Sequence, residues 1–243
     1  MKRLLLFLLC SVPSFAQWAL VTGQTANNST AAASSLTCTL PSGAGSGHFI
    51  GLWVTYFGST PAATPVTDGT GGNTWTQSGT WHATSGAGNE TIFYTPNTTS
   101  GTKIITYHQT ASAFLTLACA EFSGGATTTP QDVQTGTAGA SSPITPGSIT
   151  PSVTGDLILW NGTTDNGVVT ASPASFTNVF RQTGTTRQPM EADFRVYASV
   201  AALNATSTFT GSDNWAANVV GFKQASGGAA TINHTLSTLG VGP

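Results

Sequence analysis

Apolar residues in this chain nowhere recur with helical spacing over three turns. They come as apolar or alternating runs of about five to nine residues, each closed off by Gly, Pro, Asn or Asp. The runs are Ser35 to Leu40, His48 to Phe57, Thr91 to Thr95, Lys103 to Tyr107 and Phe114 to Phe122, then Asp156 to Trp160, Ser175 to Phe180, Ala192 to Val200, Thr206 to Thr210 and Ala216 to Phe222. With 43 Thr and 28 Gly among 243 residues, β-branched side chains and turn formers suit short strands and work against helix. The expectation is an all-β protein, an antiparallel β-sandwich of jelly-roll or concanavalin-like type. Only 7% of residues are charged, but 39% are hydrophobic, enough to fill a core, so the low charge does not signal disorder.

The runs fall into two halves that repeat one another. Gly47-His48-Phe49-Ile50-Gly51-Leu52-Trp53 matches Gly155-Asp156-Leu157-Ile158-Leu159-Trp160, and Asn73-Thr74-Trp75-Thr76 matches Ala174-Ser175-Phe176-Thr177. Glu90 to Phe122 then runs parallel to Glu191 to Phe222, each stretch ending in a strand closed by Phe. A duplicated four-strand unit is expected, with halves at about 17–124 and 155–224 and a crossover at 125–154, all in one domain from 17 to 224. Residues 225–243 read as a flexible tail or an added edge strand.

Met1-Lys2-Arg3, the apolar run Leu4 to Val12 and the small residues Ser14 and Ala16 read as a signal peptide over 1–16. The run is too short to span a bilayer, and no later one approaches that length, so a secreted, extracellular or periplasmic protein without a membrane span is expected. Beyond Ala16 five basic residues face nine acidic ones, and no Lys or Arg occurs between Gln17 and Thr102. Nucleic acid and acidic ligands are poor candidates for such a surface. Two cysteines remain there, Cys38 and Cys119, an even number that favours a disulfide in an exported chain.

Asp68-Gly69-Thr70-Gly71-Gly72-Asn73-Thr74-Trp75-Thr76, the strand end Ala120-Glu121-Phe122-Ser123-Gly124 and Gln131-Asp132-Val133 resemble a diffuse group of secreted bacterial and phage-associated jelly-roll proteins. That group carries an Asp-x-x-Gly-Asn-Thr-Trp-Thr turn and mostly has no assigned function. Here one extra Gly sits inside the turn. The resemblance implies the fold over residues 17–224 and no activity.

Several residues merit chemical scrutiny. Asp68 and Asn73 offer oxygens on a sharp loop, as a Ca²⁺ site does, or form a Gly-rich turn closed by an Asx hydrogen bond. Glu191 and Asp193 share a strand face, the placement of an acid pair acting on a sugar, but Arg195 stands where a third acid would follow. A solvated outward face with Arg195 as charge partner is the competing reading. Glu121 ends an apolar strand, either as a functional acid of raised pKa or as a link to the neighbouring loop. His48, His82, His108 and His234 show no zinc spacing, and no nucleophile elbow or phosphate loop is present.

What remains is aromatic. Trp81 with His82, in the Gly-rich stretch from Gly79 to Gly88, together with Tyr94 and Asn73, are the candidate ligand-binding residues, whereas Trp75, Trp160 and Trp215 are expected in the core. Elimination leaves a non-enzymatic module that binds carbohydrate or an extracellular surface. The alternatives are a self-associating assembly protein of an extracellular layer or phage-related particle, and a glycoside hydrolase.

Overall fold

The computed structural model describes residues 17–79, 82–86, 88–166, 169–183, 187–210 and 213–226. The expected leader 1–16 and all but the first two residues of the expected tail lie outside the described residues. Every regular element described is a strand, and the strands form an antiparallel β-sandwich. No described helix is long and apolar enough to cross a membrane.

The first half supplies β1 (Ala19–Thr39), β2 (Phe49–Phe57), β3 (Pro61–Asp68), β4 (Thr76–Gln77), β5 (His82–Ala83), β6 (Gly88–Thr95) and β7 (Ile104–Ser123). Their sheet runs β1-β7-β2-β6-β4, with β3 also on β7 and β5 also on β6. The second half supplies β8 (Gln131–Gly139), β9 (Ser148–Ile149), β10 (Asp156–Thr164), β11 (Val169–Ala171), β12 (Thr177–Gln182), β13 (Met190–Tyr197), β14 (Leu203–Asn204), β15 (Thr208–Phe209) and β16 (Trp215–Phe222). Its main sheet runs β8-β16-β10-β13-β12.

The two orders are one order. In each, the last strand of the half inserts between the first and the second, and the short strand that follows the aromatic-Thr pair takes the far edge. Registers agree as well: Phe49 faces Phe122 as Leu157 faces Phe222, and Gly51 faces Tyr94 as Leu159 faces Phe194. By this register Glu90 corresponds to Met190, one residue from the Glu191 that spacing alone suggests. Because side chains alternate along a strand, Glu90 and Glu191 point to opposite faces of their sheets.

Each half therefore builds a whole sheet, and the chain passes between the main sheets once, after Ser123. A jelly roll alternates its strands between sheets, so the sandwich is present with a different connectivity. The segment expected as a crossover, 125–154, contains β8, the edge strand equivalent to β1.

Three apolar clusters fill the molecule. Between the sheets lie Trp18, Phe49, Trp53, Ile92, Tyr94, Phe122, Leu157, Leu159, Val220 and Phe222. Their rings interlock, with Phe49 4.8 Å from Phe222 and Tyr94 likewise 4.8 Å from it, and the Trp53 indole N–H donates across the gap to the Trp160 carbonyl at 2.9 Å. On the outer face of the first sheet, β3, the end of β1 and the start of β7 fold back so that Cys38, Leu40, Val66, Ile105 and Tyr107 cover Ile50, Leu52, Leu117 and Cys119. The expected disulfide forms here: Cys38 and Cys119 are bonded, with Cα atoms 6.3 Å apart. The outer face of the second sheet is covered by β9, β11, β14, β15 and their loops, which bury Ile158, Trp160, Val219 and Trp215 under Ile149, Val169, Leu203 and Phe209.

Candidate functional site

β3 delivers Asp68 to the turn that leads into β4. Its Oδ1 accepts the N–H groups of Thr70 (3.1 Å) and Gly71 (2.8 Å) and the Thr70 hydroxyl (2.6 Å), which closes an Asx turn, with Gly71 at φ +66°. Oδ2 accepts the Trp75 indole N–H, at 3.0 Å. Asn73 donates to the Thr102 hydroxyl at 2.8 Å, and its Oδ1 accepts the Thr99 N–H at 2.7 Å. Burial alone would raise the Asp68 pKa, but the hydrogen bonds from Thr70, Trp75, Asn73 and Gly71 outweigh it and hold the carboxyl below its usual range. With N–H donors already on Asp68 Oδ1 and on Asn73 Oδ1, the pair offers a hard cation little beyond Asp68 Oδ2.

This turn walls a cleft of about 360 Å³ lined by Thr64, Val66, Thr67, Asp68, Gly71, Asn73 and Trp75. Trp75, expected in the core, is only partly buried: it rests against the outer cluster of the first sheet while lining the cleft. The Asp68 hydrogen bond fixes the ring in place. Thr67 is held by a 2.9 Å hydrogen bond with His108 Nε2. An immobilised indole, hydroxyls, an amide and an ionised carboxylate thus converge on one open, partly apolar cleft.

The other expected ligand residues lie elsewhere. Tyr94 is 7% exposed, stacked on Phe49 between the sheets, because its position on β6 faces inward. His82 turns inward on β5, where its ring covers Gly136 of β8, and burial lowers its pKa. Trp81 lies outside the described residues. A second cleft near β5, about 350 Å³, is lined among the described residues by Ala83, Thr84, Ser85, Ala138, Gly139, Ala140 and Asn214, none of them aromatic.

Glu191 and Asp193 do share a face, but the face is not solvated. Both side chains are fully buried under the layer that covers the second sheet. Arg181, their neighbour on β12, forms an ion pair with Glu191 through Nε and Nη2, while Ser172 (2.8 Å) and Asn178 (3.0 Å) also donate to Glu191. Burial, then the Glu191 charge, push the Asp193 pKa well above the carboxylate range. Arg195, expected as the charge partner, instead lies over the Tyr197 ring at 4.9 Å. Glu191, with both oxygens taken by strong donors, is held as a structural ion.

Glu121 links the strand end to the neighbouring loop, accepting from Gln24 Nε2 and the Gly45 N–H at 2.8 Å each and pairing with His48 Nδ1 at 2.5 Å. The equivalent corner of the second sheet repeats part of this wiring: Gln24 accepts the Ser42 N–H as Asp132 accepts the Ser152 N–H, each Ser following a Pro. Asp156, in the place of His48, is buried beside Asp132. Burial and then that contact raise its pKa to about 7.

The inward end of the sandwich near β5 is polar, a feature no sequence motif announced. Glu90 on β6 is fully buried, facing Thr55 and His82 in register and interacting with Asn161 of the opposite sheet. Burial raises its pKa well above the glutamate range, so the folded protein holds it protonated. The unfolded chain releases that proton above the ordinary value of 4.5, so the Glu90 contribution to stability is lost as pH rises from there through its folded pKa. Glu90→Gln is expected to flatten this loss. Urea unfolding of both forms at a series of pH values measures it, and parallel curves would contradict the assignment.

Comparison with models of protein families, with curated proteins and with solved structures finds no match to this chain. Fold and site define its class on their own terms: a two-sheet antiparallel sandwich, stapled by a disulfide, bearing an indole-lined cleft on an outer loop.

Proposed function

We propose that the protein is a non-catalytic module that binds neutral carbohydrate in the Trp75 cleft. The observation that carries this reading is the indole of Trp75, anchored by Asp68 yet lining an open cleft with Thr64, Thr67 and Asn73. Sugars present an apolar face to an aromatic ring and hydroxyls to surrounding amides and carboxylates, and this lining supplies both. Asp68 Oδ2 has room to accept a sugar hydroxyl, and its ionised state makes that bond charge-assisted. With one carboxylate and no cation among the described lining residues, the cleft favours an uncharged over an anionic glycan. The leader-like start and the disulfide fit a protein that meets such polymers outside the cytoplasm.

A glycan-array screen of residues 17–243 tests the reading. Saturable binding is expected, at least about tenfold weaker in Trp75→Ala and unchanged by EDTA, with the variant's fold checked by circular dichroism. Binding that survives Trp75→Ala, or no binding to any glycan, contradicts it, and loss in EDTA alone would assign the site to a cation at Asp68.

A further inference from the structure

We infer that the first half of β1 is a self-complementary edge through which two copies of this chain pair, joining their first sheets into one continuous antiparallel sheet. β1 is the outermost strand of its sheet along its whole length, and its 21 residues contain no charged residue and no proline. Sheet edges expose unpaired N–H and C=O groups that accept a further strand unless charge, proline, brevity or a covering segment prevents it.

The other edges of this molecule carry those protections. β3 contains Pro61 and Pro65, β12 is six residues with Arg181 among them, and β4 and β5 are two residues each. β8, the equivalent of β1, carries Asp132, and the chain that follows is tied to it through Ser152 on Asp132 and Pro146 on Thr135. Even the second half of β1 is partly capped, since Asn28 Nδ2 donates to the Thr37 carbonyl at 2.9 Å. In the first half Gln24 is tied to the Ser42 loop and Asn28 Oδ1 accepts the Ser29 N–H, but Thr25 to Asn27 and Thr30 carry no such tie among the described residues.

Register shifts in β1 fall between Leu20 and Thr25 and again beyond Thr30, leaving Thr25 to Thr30 in regular pairing with Ala120 to Leu115. That flat stretch is partly or fully exposed throughout. A two-fold axis at Asn28 sets Asn28 against Asn28 of the second copy, Asn27 against Ser29, and Ala26 against Thr30. Every opposed pair is small and neutral, and the hydroxyl and amide groups can hydrogen-bond across the strands. Five residues a side make a small interface, so the association is reversible and concentration-dependent. It involves none of the residues lining the Trp75 cleft and stands or falls independently of carbohydrate binding.

Sedimentation velocity on residues 17–243 tests this, run from about 1 μM to about 1 mM, a range that brackets weak association. The weight-average mass is expected to rise towards two copies, and hydrogen exchange at residues 25–30 to slow with it. Asn27→Lys with Ser29→Lys places like charges on the paired edge and is expected to weaken association at least about tenfold. Mixing that variant with Asn27→Glu plus Ser29→Glu is expected to restore it as a heterodimer. A monomer at every concentration, association unchanged by the lysines, or association abolished by ending the chain at Ser226 would each overturn the inference, the last by assigning the contact to residues 227–243.

Discussion

Replacing Cys38 and Cys119 together with alanine is expected to lower stability by about 4 kcal/mol, the loop-entropy value for a cross-link between residues 81 positions apart. For a domain of this size that is a fall in Tm of roughly 10 °C. The bond joins the leaf that folds back over the outer face of the first sheet to the strand beneath it. Without it, the unfolded chain regains its freedom, and the leaf, which carries Leu40, Val66 and Ile105, is left to side-chain packing, the continuity of β1 and β7 and hydrogen bonds such as Asn28 to Thr37. Asp68 ends β3 within that leaf, so the Trp75 cleft is expected to loosen with it. Urea unfolding of the double variant against the oxidised parent measures the loss, and a difference below about 1 kcal/mol would contradict the loop-closure account.

Arg181→Met is the second large effect, expected to cost about 3 kcal/mol because it leaves the fully buried Glu191 without its cation. Adding Glu191→Gln removes the charge while keeping an acceptor for Ser172 and Asn178, and is expected to return most of the lost stability. An Arg181→Met protein with unchanged unfolding at neutral pH would show that the pair is solvated, contrary to its burial.

The strands legible in the sequence are those with an apolar face. Runs such as His48 to Phe57 mark β2, β10 and β16, and the aromatic-Thr pairs mark the starts of β4 and β12. β1 and β8 were only partly seen or missed, because edge strands rich in Thr, Ser, Asn, Ala and Gly carry almost no hydrophobic alternation. The sequence pattern of β7 is that of two strands, since the polar bend between Tyr107 and Phe114 interrupts its apolar pattern.

The site was legible to a similar degree. The Asp68 turn and the role of Glu121 follow from local chemistry, which short-range sequence records. Trp75 was expected inside because an aromatic at a strand start usually packs, and only the fold shows that it also walls a cleft. Glu191 and Asp193 were expected in water because no sequence pattern tells that loops from four short strands will cover their face. Tyr94 was assigned to a ligand when the period of β6 sends it between the sheets, alongside Ile92.

The claim that a glycan docks on an indole-lined cleft is tested most directly by the side-chain indole N–H resonances. The chain has six Trp, so the indole signals are few enough to assign one by one. Titrating labelled protein, residues 17–243, with array-selected glycans is expected to shift the Trp75 indole and the amides of Thr67, Asp68 and Asn73 saturably, while Trp53 and Trp160 stay fixed. Saturable shifts centred on any other surface, with Trp75 unmoved, would contradict the account.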